Sequence, residues 1–243
     1  MKGAQPAGAR NEREAADRVR SMFGRVAHRY DLANHLLSFN IDRYWRAYTV
    51  RRVRTATAKP GARVLDICCG TGDLALALER ERRGAVFGSD FCHPMLVAAL
   101  DKAERRGART ALFEADALRL PVRDGWFDLV TVAFGFRNLA NYDAGLGEMR
   151  RILRPGGMAA ILEFSDPPRP WFRALYHFYS RRLLPLVGGA LSGSRDAYRY
   201  LPESVRQFPM PDELAEGMRR AGFSNVGYEY LTGGIVALHV GTV

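Results

Sequence analysis

The chain has 243 residues, 47% of them hydrophobic and 26% charged, which suits one α/β domain with embellishments rather than two independent domains. No stretch is long and apolar enough to cross a bilayer, and the opening MKGAQPAGARNEREAADR has no apolar run behind its basic residues, so no secretory leader is read and a cytoplasmic location is expected. The net charge of +10 suits a polyanionic neighbour, nucleic acid or the anionic face of a membrane, but arginine is spread along the chain and charge alone does not choose.

Roughly the first ten residues, rich in Gly, Ala and Arg, read as disordered. Over 12–35 a helix is expected, with Val19, Met22, Phe23, Val26 and Tyr30 recurring on one face, and a second around Tyr44–Val53 before Pro60-Gly61 interrupts the chain. From there short apolar strands at 62–67, 85–90, 109–116, 126–136 and 158–164 alternate with helices at 72–82, 93–106 and 143–153. Pro94 stands near the start of one of these helices, where a missing N–H costs nothing. Such alternation implies a parallel, doubly wound sheet with helices on both faces. Residues 169–206 break the rhythm as a helical, aromatic-rich insertion, and FSNVGYEYLTGGIVALHVGTV reads as two strands around Gly233-Gly234, an antiparallel edge pair.

The first strand runs into Asp66-Ile67-Cys68-Cys69-Gly70-Thr71-Gly72-Asp73. Glycines at 70 and 72 let the turn tighten and a ligand approach the following helix. The second strand ends in Asp90, from which a carboxylate can accept both hydroxyls of a ribose, and the third in Asp116-Ala117, beside the same crevice. A dinucleotide oxidoreductase competes, because Gly70, Gly72 and Ala75 satisfy the G-x-G-x-x-G/A pattern. Against it, Asp66 and Asp73 crowd carboxylates where a pyrophosphate needs neutral or positive surroundings. A donor carrying an amine and a sulfonium, such as S-adenosyl-L-methionine, fits the same acids. The odd count of cysteines, Cys68, Cys69 and Cys92, has neither zinc spacing nor a disulfide pattern, and small buried thiols are expected.

VLDICCGTGD, FGSD, EADALRLPVRDGWFDLV and MRRILRPGGMAAILEF resemble a class I methyltransferase throughout 62–164. The flanking RYDLANHLLSFNIDRYWR, FGFRN, LEFSDP, DAYRYLPESVRQFP and LTGGIVALHVG resemble the ubiquinone/menaquinone biosynthesis C-methyltransferases, the UbiE/MenG family, over roughly residues 22–243. The resemblance implies a Rossmann-like, seven-stranded, mostly parallel sheet with a C-terminal antiparallel hairpin, N-terminal helices and a helical insertion. It divides the chain into an arm (1–11), a helical lid (12–58), a donor-binding core (62–164), a substrate-side insertion (165–209) and a C-terminal helix and hairpin (210–243), the last four forming a single domain over 12–243. It implies S-adenosyl-L-methionine as methyl donor, no metal, and Thr71, Asp90, Asp116 and Ala117 as donor contacts, to which the turn itself adds Asp66, Gly70 and Gly72. The family often has serine before FG-x-RN; Ala133 stands there, so a backbone group would supply that contact.

The implied reaction is C-methylation of a polyprenylated quinol, demethylmenaquinol first and the benzoquinol precursor of ubiquinone second. Deprotonating a ring hydroxyl raises the nucleophilicity of the neighbouring carbon. Arg137 is expected to stabilise the phenolate and Asn138 to orient the ring. Tyr30 and Asp31 are candidates for closing the site, and Tyr30, Asp196, Tyr198 and Arg199 for binding substrate. In PRPWFRALYHFYSRRLLPLVGGALSG, aromatic residues interleave with arginines, as in a helix that walls a lipid-tail tunnel and rests on anionic headgroups. The alternative is a helix covering the core with a solvated basic edge. The five histidines receive no catalytic role. The partners expected are thus a lipid quinol, with peripheral membrane association and a homodimer left open, and no nucleic acid.

Overall fold

The computed structural model describes residues 1, 3–81, 84–183 and 195–243, with only the backbone described at 181, 183 and 195–199. Its sheet has seven strands: β1 (Arg63–Ile67), β2 (Ala85–Asp90), β3 (Ala111–Glu114), β4 (Phe127–Ala133), β5 (Leu153–Phe164), β6 (Ser224–Leu231) and β7 (Val236–Thr242). Their spatial order is β3-β2-β1-β4-β5-β7-β6. Strands β1 to β5 pair in parallel. Strand β7 runs antiparallel between β5 and β6, because only Thr232–Gly234 and Ile235 separate β6 from β7 and a connection that short forces a hairpin.

Period-two alternation sorts the strand residues between two cores. Leu65, Ile67, Val130, Val132, Ala159 and Ile161 face one core, and Val64, Leu129, Ala160 and Leu162 the other. The first core is closed by α7 (Tyr142–Ile152) and by the helix Pro211–Arg220, named α10 below, through Leu146, Met149, Leu214 and Met218. The second is closed by α3 (Ile41–Arg52), α4 (Arg54–Thr57) and α5 (Asp73–Arg80), through Trp45, Val50, Val53, Ala56, Leu74 and Leu78. Strand β4, apolar on both faces, lies buried at the centre, as a parallel strand covered by helices must.

Four element boundaries depart from the sequence reading. The helix expected over 12–35 is divided into α1 (Glu12–Val26), a 3-10 turn (Ala27–Arg29) and α2 (Tyr30–Leu37); Val26 and Ala27 pack on Cys92 and Met95 at the start of α6 (His93–Arg105), which pins the bend. Strand β3 stops at Glu114, so Asp116 lies beyond it. Strand β4 ends at Ala133, and Phe134 turns the chain in the left-handed region at φ 60°. Strand β5 begins at Leu153, because that residue is already extended (φ −80°, ψ 134°) directly after α7. Residues expected as a disordered arm lie along the loop before α7: Ala4 is buried and its N–H donates to Leu139 O at 2.7 Å. The insertion contributes α8 (Pro170–Phe178), a π-helical turn to Leu183, and α9 (Arg195–Gln207). Among the described residues no helix is long and apolar enough to cross a membrane.

His239 on β7 is fully buried, with Nε2 donating to Pro211 O at 2.9 Å, and burial pushes its pKa down to about 4. A depressed folded-state pKa means that the unfolded chain binds the extra proton first, so this group removes stability as pH falls from about 6.5 toward 4. Burial moves Asp66 the opposite way, so the comparison must isolate His239. In denaturant titrations the stability lost between neutral pH and pH 4 should be smaller in His239→Gln than in the wild type, by up to about 3 kcal/mol; parallel pH profiles would contradict this.

Candidate active site

The carboxyl ends of β1, β2 and β4 open onto a cavity whose unfilled space, its open mouth included, is about 930 Å³. At its floor the turn after β1 doubles back: Cys68 and Gly70 both adopt positive φ (49° and 55°), and a Cβ on Gly70 would meet nothing within 4 Å. Gly72 (φ 83°) begins α5 behind this turn. Asp90, buried at the end of β2, holds the turn in place: Oδ2 accepts the Gly70 N–H at 2.8 Å and Oδ1 the Cys92 N–H at 2.9 Å. Burial raises its pKa, and the backbone donors work against that rise.

Asp66 lies within β1, as the strand expected over 62–67 requires, accepts the Thr131 hydroxyl at 2.7 Å, and is pushed by burial up to about 7. Asp66, Asp73, Asp90 and Asp116 all line this cavity. Four carboxyl groups around a space this size suit a ligand with positive charge, and two of them flank the glycine turn where a pyrophosphate would have to lie. Burial, together with the charges of Asp90 and Asp66, pushes the Cys68 and Cys69 thiols well up, so both stay protonated.

The N-terminal helices close the cavity from above. Asp31 of α2 accepts the Thr71 hydroxyl at 2.5 Å and pairs with Lys102 Nζ at 2.5 Å. Lys102, buried on α6, also reaches Asp73 at 2.8 Å and Thr71 at 3.1 Å. His35, Asp42 and Asp73 bring ligand atoms within 4.8 Å of one another, and their carboxylates are already paired with Arg46 at 2.5 Å and Lys102 at 2.8 Å.

A second and larger cavity, about 1890 Å³ of empty space, adjoins the first, with Phe23, Tyr30, Arg46 and Phe134 lining both. Its wall is largely aromatic: Trp45, Phe164, Tyr176, Tyr179, Tyr200 and Phe208. Arg137 lines it from behind Phe134. The Arg137 guanidinium pairs with Glu163 at 3.0 Å, donates to Ser204 Oγ at 3.3 Å and to the Phe134 carbonyl, and lies 5.3 Å from the Phe164 ring centre. Glu163 is 1% exposed. It neutralises the arginine from within the fold while the cation borders the cavity.

The residues proposed from sequence are therefore divided between two spaces. Asp66, Gly70, Thr71, Asp90, Asp116, Ala117, Ala133 and Asn138 line the first, Arg137 the second, and Tyr30 both. Gly72 shapes the turn. The side chains of Asp196, Tyr198 and Arg199 lie outside the described residues. Asn138 Oδ1 and the Tyr200 hydroxyl are buried without a hydrogen-bond partner, one on each cavity, and Ser165 Oγ is a third such atom, on the second. Sequence reasoning missed Arg46, Lys102, Ser165 and the pair Asp166–His177. In sequence a lysine on an amphipathic helix looks solvated, and nothing local marks His177 as the partner of Asp166.

A family model described as the ubiE/COQ5 methyltransferase family matches residues 10–243. The demethylmenaquinone methyltransferase of Thermus thermophilus is 53% identical over 221 residues, 90% of this chain and 99% of that protein. The ubiquinone/menaquinone biosynthesis C-methyltransferase UbiE of Stenotrophomonas maltophilia is 45% identical over 228 residues, 92% of this chain and 88% of that protein. Among solved structures, a SAM-dependent methyltransferase from Thermotoga maritima, a possible histamine N-methyltransferase, shares the fold at a TM-score of 0.62 and 19% identity, covering 91% of this chain and 98% of its own. With a family match over nearly its whole length and relatives this similar, the chain belongs to the ubiE/COQ5 methyltransferase family.

Proposed function

We propose that the chain transfers the methyl group of S-adenosyl-L-methionine to a ring carbon of a polyprenylated quinol, with demethylmenaquinol as the substrate. The observation that carries this reading is the adjoining pair of cavities: a small one ringed by carboxyl groups, suited to a cationic donor, and a larger aromatic one, suited to a lipid ring and tail. The name of the Thermus relative favours the menaquinone precursor. The relatives named for both pathways keep the benzoquinol precursor of ubiquinone as the second substrate to test.

In this reading Asp90 takes the ribose hydroxyls, Asp66 faces the donor's ammonium, and Asp116-Ala117 borders the adenine. Asn138 Oδ1, buried and unpartnered on the donor side, orients the reacting groups. Arg137 stabilises a ring oxygen that gains negative charge, and in a site shielded by aromatic side chains such a contact is worth far more than in water. The lid, latched through Asp31, Thr71 and Lys102, excludes water and holds the ring carbon in line with the methyl group and sulfur, a matter of positioning that requires no charge on the nucleophile beyond the phenolate.

The outer face of α8 suggests how a membrane substrate is reached. Trp171, Leu175 and Phe178 stand one helical face apart from the cavity-lining Tyr176 and His177, and each is more than half exposed. Phe39, 74% exposed, packs near Tyr179, so the apolar face continues onto the loop between α2 and α3. Exposed Arg169 and Arg182 complete an arrangement suited to anionic headgroups.

Labelled S-adenosyl-L-methionine incubated with reduced demethylmenaquinone should yield labelled menaquinone; failure to label either this quinol or the benzoquinol would end the proposal. Asp90→Ala should abolish donor binding in calorimetry. Arg137→Ala should bind donor and lose roughly 100- to 1000-fold in kcat, with its melting temperature measured alongside because Glu163 is left buried and unpaired; unchanged kcat would remove the arginine's role. Because Asp66 titrates at about 7 in the free protein and an ammonium beside it favours the carboxylate, donor binding near neutral pH should release a proton and tighten as pH rises toward 7. Calorimetry in buffers of different ionisation enthalpy should detect that proton in the wild type and not in Asp66→Asn. In flotation with vesicles containing phosphatidylglycerol, the wild type should float and a Trp171→Ser/Phe178→Ser variant should remain below; equal recovery would rule out this surface.

A further inference from the structure

Methylation on carbon through a phenolate also requires an acceptor for the ring hydroxyl proton. The larger cavity offers few acceptors. Its guanidinium groups, among them Arg46 and Arg137, are permanent cations. Burial works upward on Asp42, but the hydroxyl of Ser38 and the charges of Arg46 and His35 outweigh it and hold this carboxyl below its ordinary range, a poor proton acceptor. Tyr30, Tyr176, Tyr179 and Tyr200 are pushed upward by burial and stay neutral. Among the described residues lining the cavity, that leaves Asp166 and His177.

These two side chains form a pair. His177 Nε2 lies 2.7 Å from Asp166 Oδ1. An ionised carboxylate can only accept a hydrogen bond, so Nε2 carries the hydrogen and Nδ1 carries the lone pair. The carboxylate also stabilises the imidazolium that forms when Nδ1 takes a proton, as in other carboxylate–histidine pairs. The second Asp166 oxygen faces Arg173, with Nε at 3.8 Å. Both residues are partly open to the cavity, with side chains 34% and 30% exposed. Two more polar atoms on this cavity have no hydrogen-bond partner: Ser165 Oγ, next to Asp166 in the chain and in a residue 7% exposed, and the Tyr200 hydroxyl. A buried hydroxyl without a partner costs stability unless a ligand completes it, and a ring bearing two para oxygens has the groups to do so.

We infer that His177, oriented by Asp166, is the general base that removes the ring hydroxyl proton of the quinol; this rests on the quinol reading above. The O–H proton passes to His177 Nδ1, and the electron pair of the O–H bond stays on the ring as a phenolate. The ring carbon forms its bond to the methyl group as the carbon–sulfur bond breaks, and that electron pair leaves on sulfur. The methylated carbon then loses its hydrogen as a proton to water, its C–H electron pair restores the aromatic ring, and the oxygen regains the proton held by His177. The balance is one methyl group gained, one proton released to solvent, and no oxidant or reductant consumed.

The test is made on the full-length protein with labelled donor, reduced demethylmenaquinone as the probe, and wild type in parallel. His177→Gln should keep donor binding and a quinol KM within about threefold, and lose about 100-fold or more in kcat, the usual share of a general base. Added imidazole should restore part of the lost rate to His177→Gln and none to an Arg137→Ala control, a rescue that a merely structural histidine would not allow. Asp166→Asn, which keeps the shape of the side chain, should lower kcat with KM little changed, and it supplies the same comparison if His177→Gln fails to fold. A kcat within threefold of wild type in either variant would overturn the inference, as would a loss that imidazole leaves untouched in a folded His177→Gln. If wild type itself labels no quinol, it is the function proposed above that fails, which separates the two claims.

Discussion

The arrangement of this molecule depends on a carboxylate buried at the end of β2. Asp90 accepts one N–H from the turn after β1 and another from Cys92 in its own turn into α6, so a single side chain ties the two turns at the floor of the smaller cavity together. Burying an ionised carboxylate costs several kcal/mol unless hydrogen bonds replace its water, and the two backbone donors supply part of that replacement. The remaining acids on the cavity wall add negative potential in a space with little water to screen it. The charge preference of the site thus arises from the same interactions that shape it.

The second cavity exists because the N-terminal helices and the insertion meet over the sheet. Asp31, Thr71, Lys102 and Asp73 form a compact network in which a partly shielded lysine is shared by two carboxylates. Its members come from α2, the glycine turn, α5 and α6, so one network ties the N-terminal helices to the turn. Tyr179 adds a second tie, its hydroxyl donating to Leu37 O at 2.6 Å, which joins the insertion to the end of α2. Both elements line the aromatic cavity, and the two cavities share Phe23, Tyr30, Arg46 and Phe134.

Arg137 and Glu163 illustrate how a charged group is kept beside an apolar space. The pair sits under Phe164, and Glu163 also accepts the N–H groups of Arg137 and Phe164 at 3.1 Å and 2.9 Å. Three donors therefore converge on one buried carboxylate and replace most of the water it gives up, the condition under which a buried ion pair holds its place. The arginine is held by these contacts at the edge of the cavity.

Much of the core was legible in sequence, because strand alternation, glycine turns and acids at strand ends are local features set by backbone sterics and side-chain period. The mostly parallel sheet with its terminal hairpin is readable from the strand–helix alternation, the resemblance and Gly233-Gly234, and Asp90 from its place at the end of a strand, whereas the strand order comes from the structure. What remained hidden were relations between distant segments. Lys102 reads as one more solvated lysine on α6, yet α2 covers it. Glu163 reads as an ordinary residue of an apolar strand, yet it neutralises Arg137. Asp166 and His177 meet only because α8 folds back over the end of β5. By itself, then, the sequence determined the sheet, the acid-lined turn and the family, since hydrophobic period and backbone geometry act over a few residues. Only the tertiary structure decided which charges are buried, which pair and which face a cavity, because desolvation and Coulomb energy depend on neighbours that chain order does not specify.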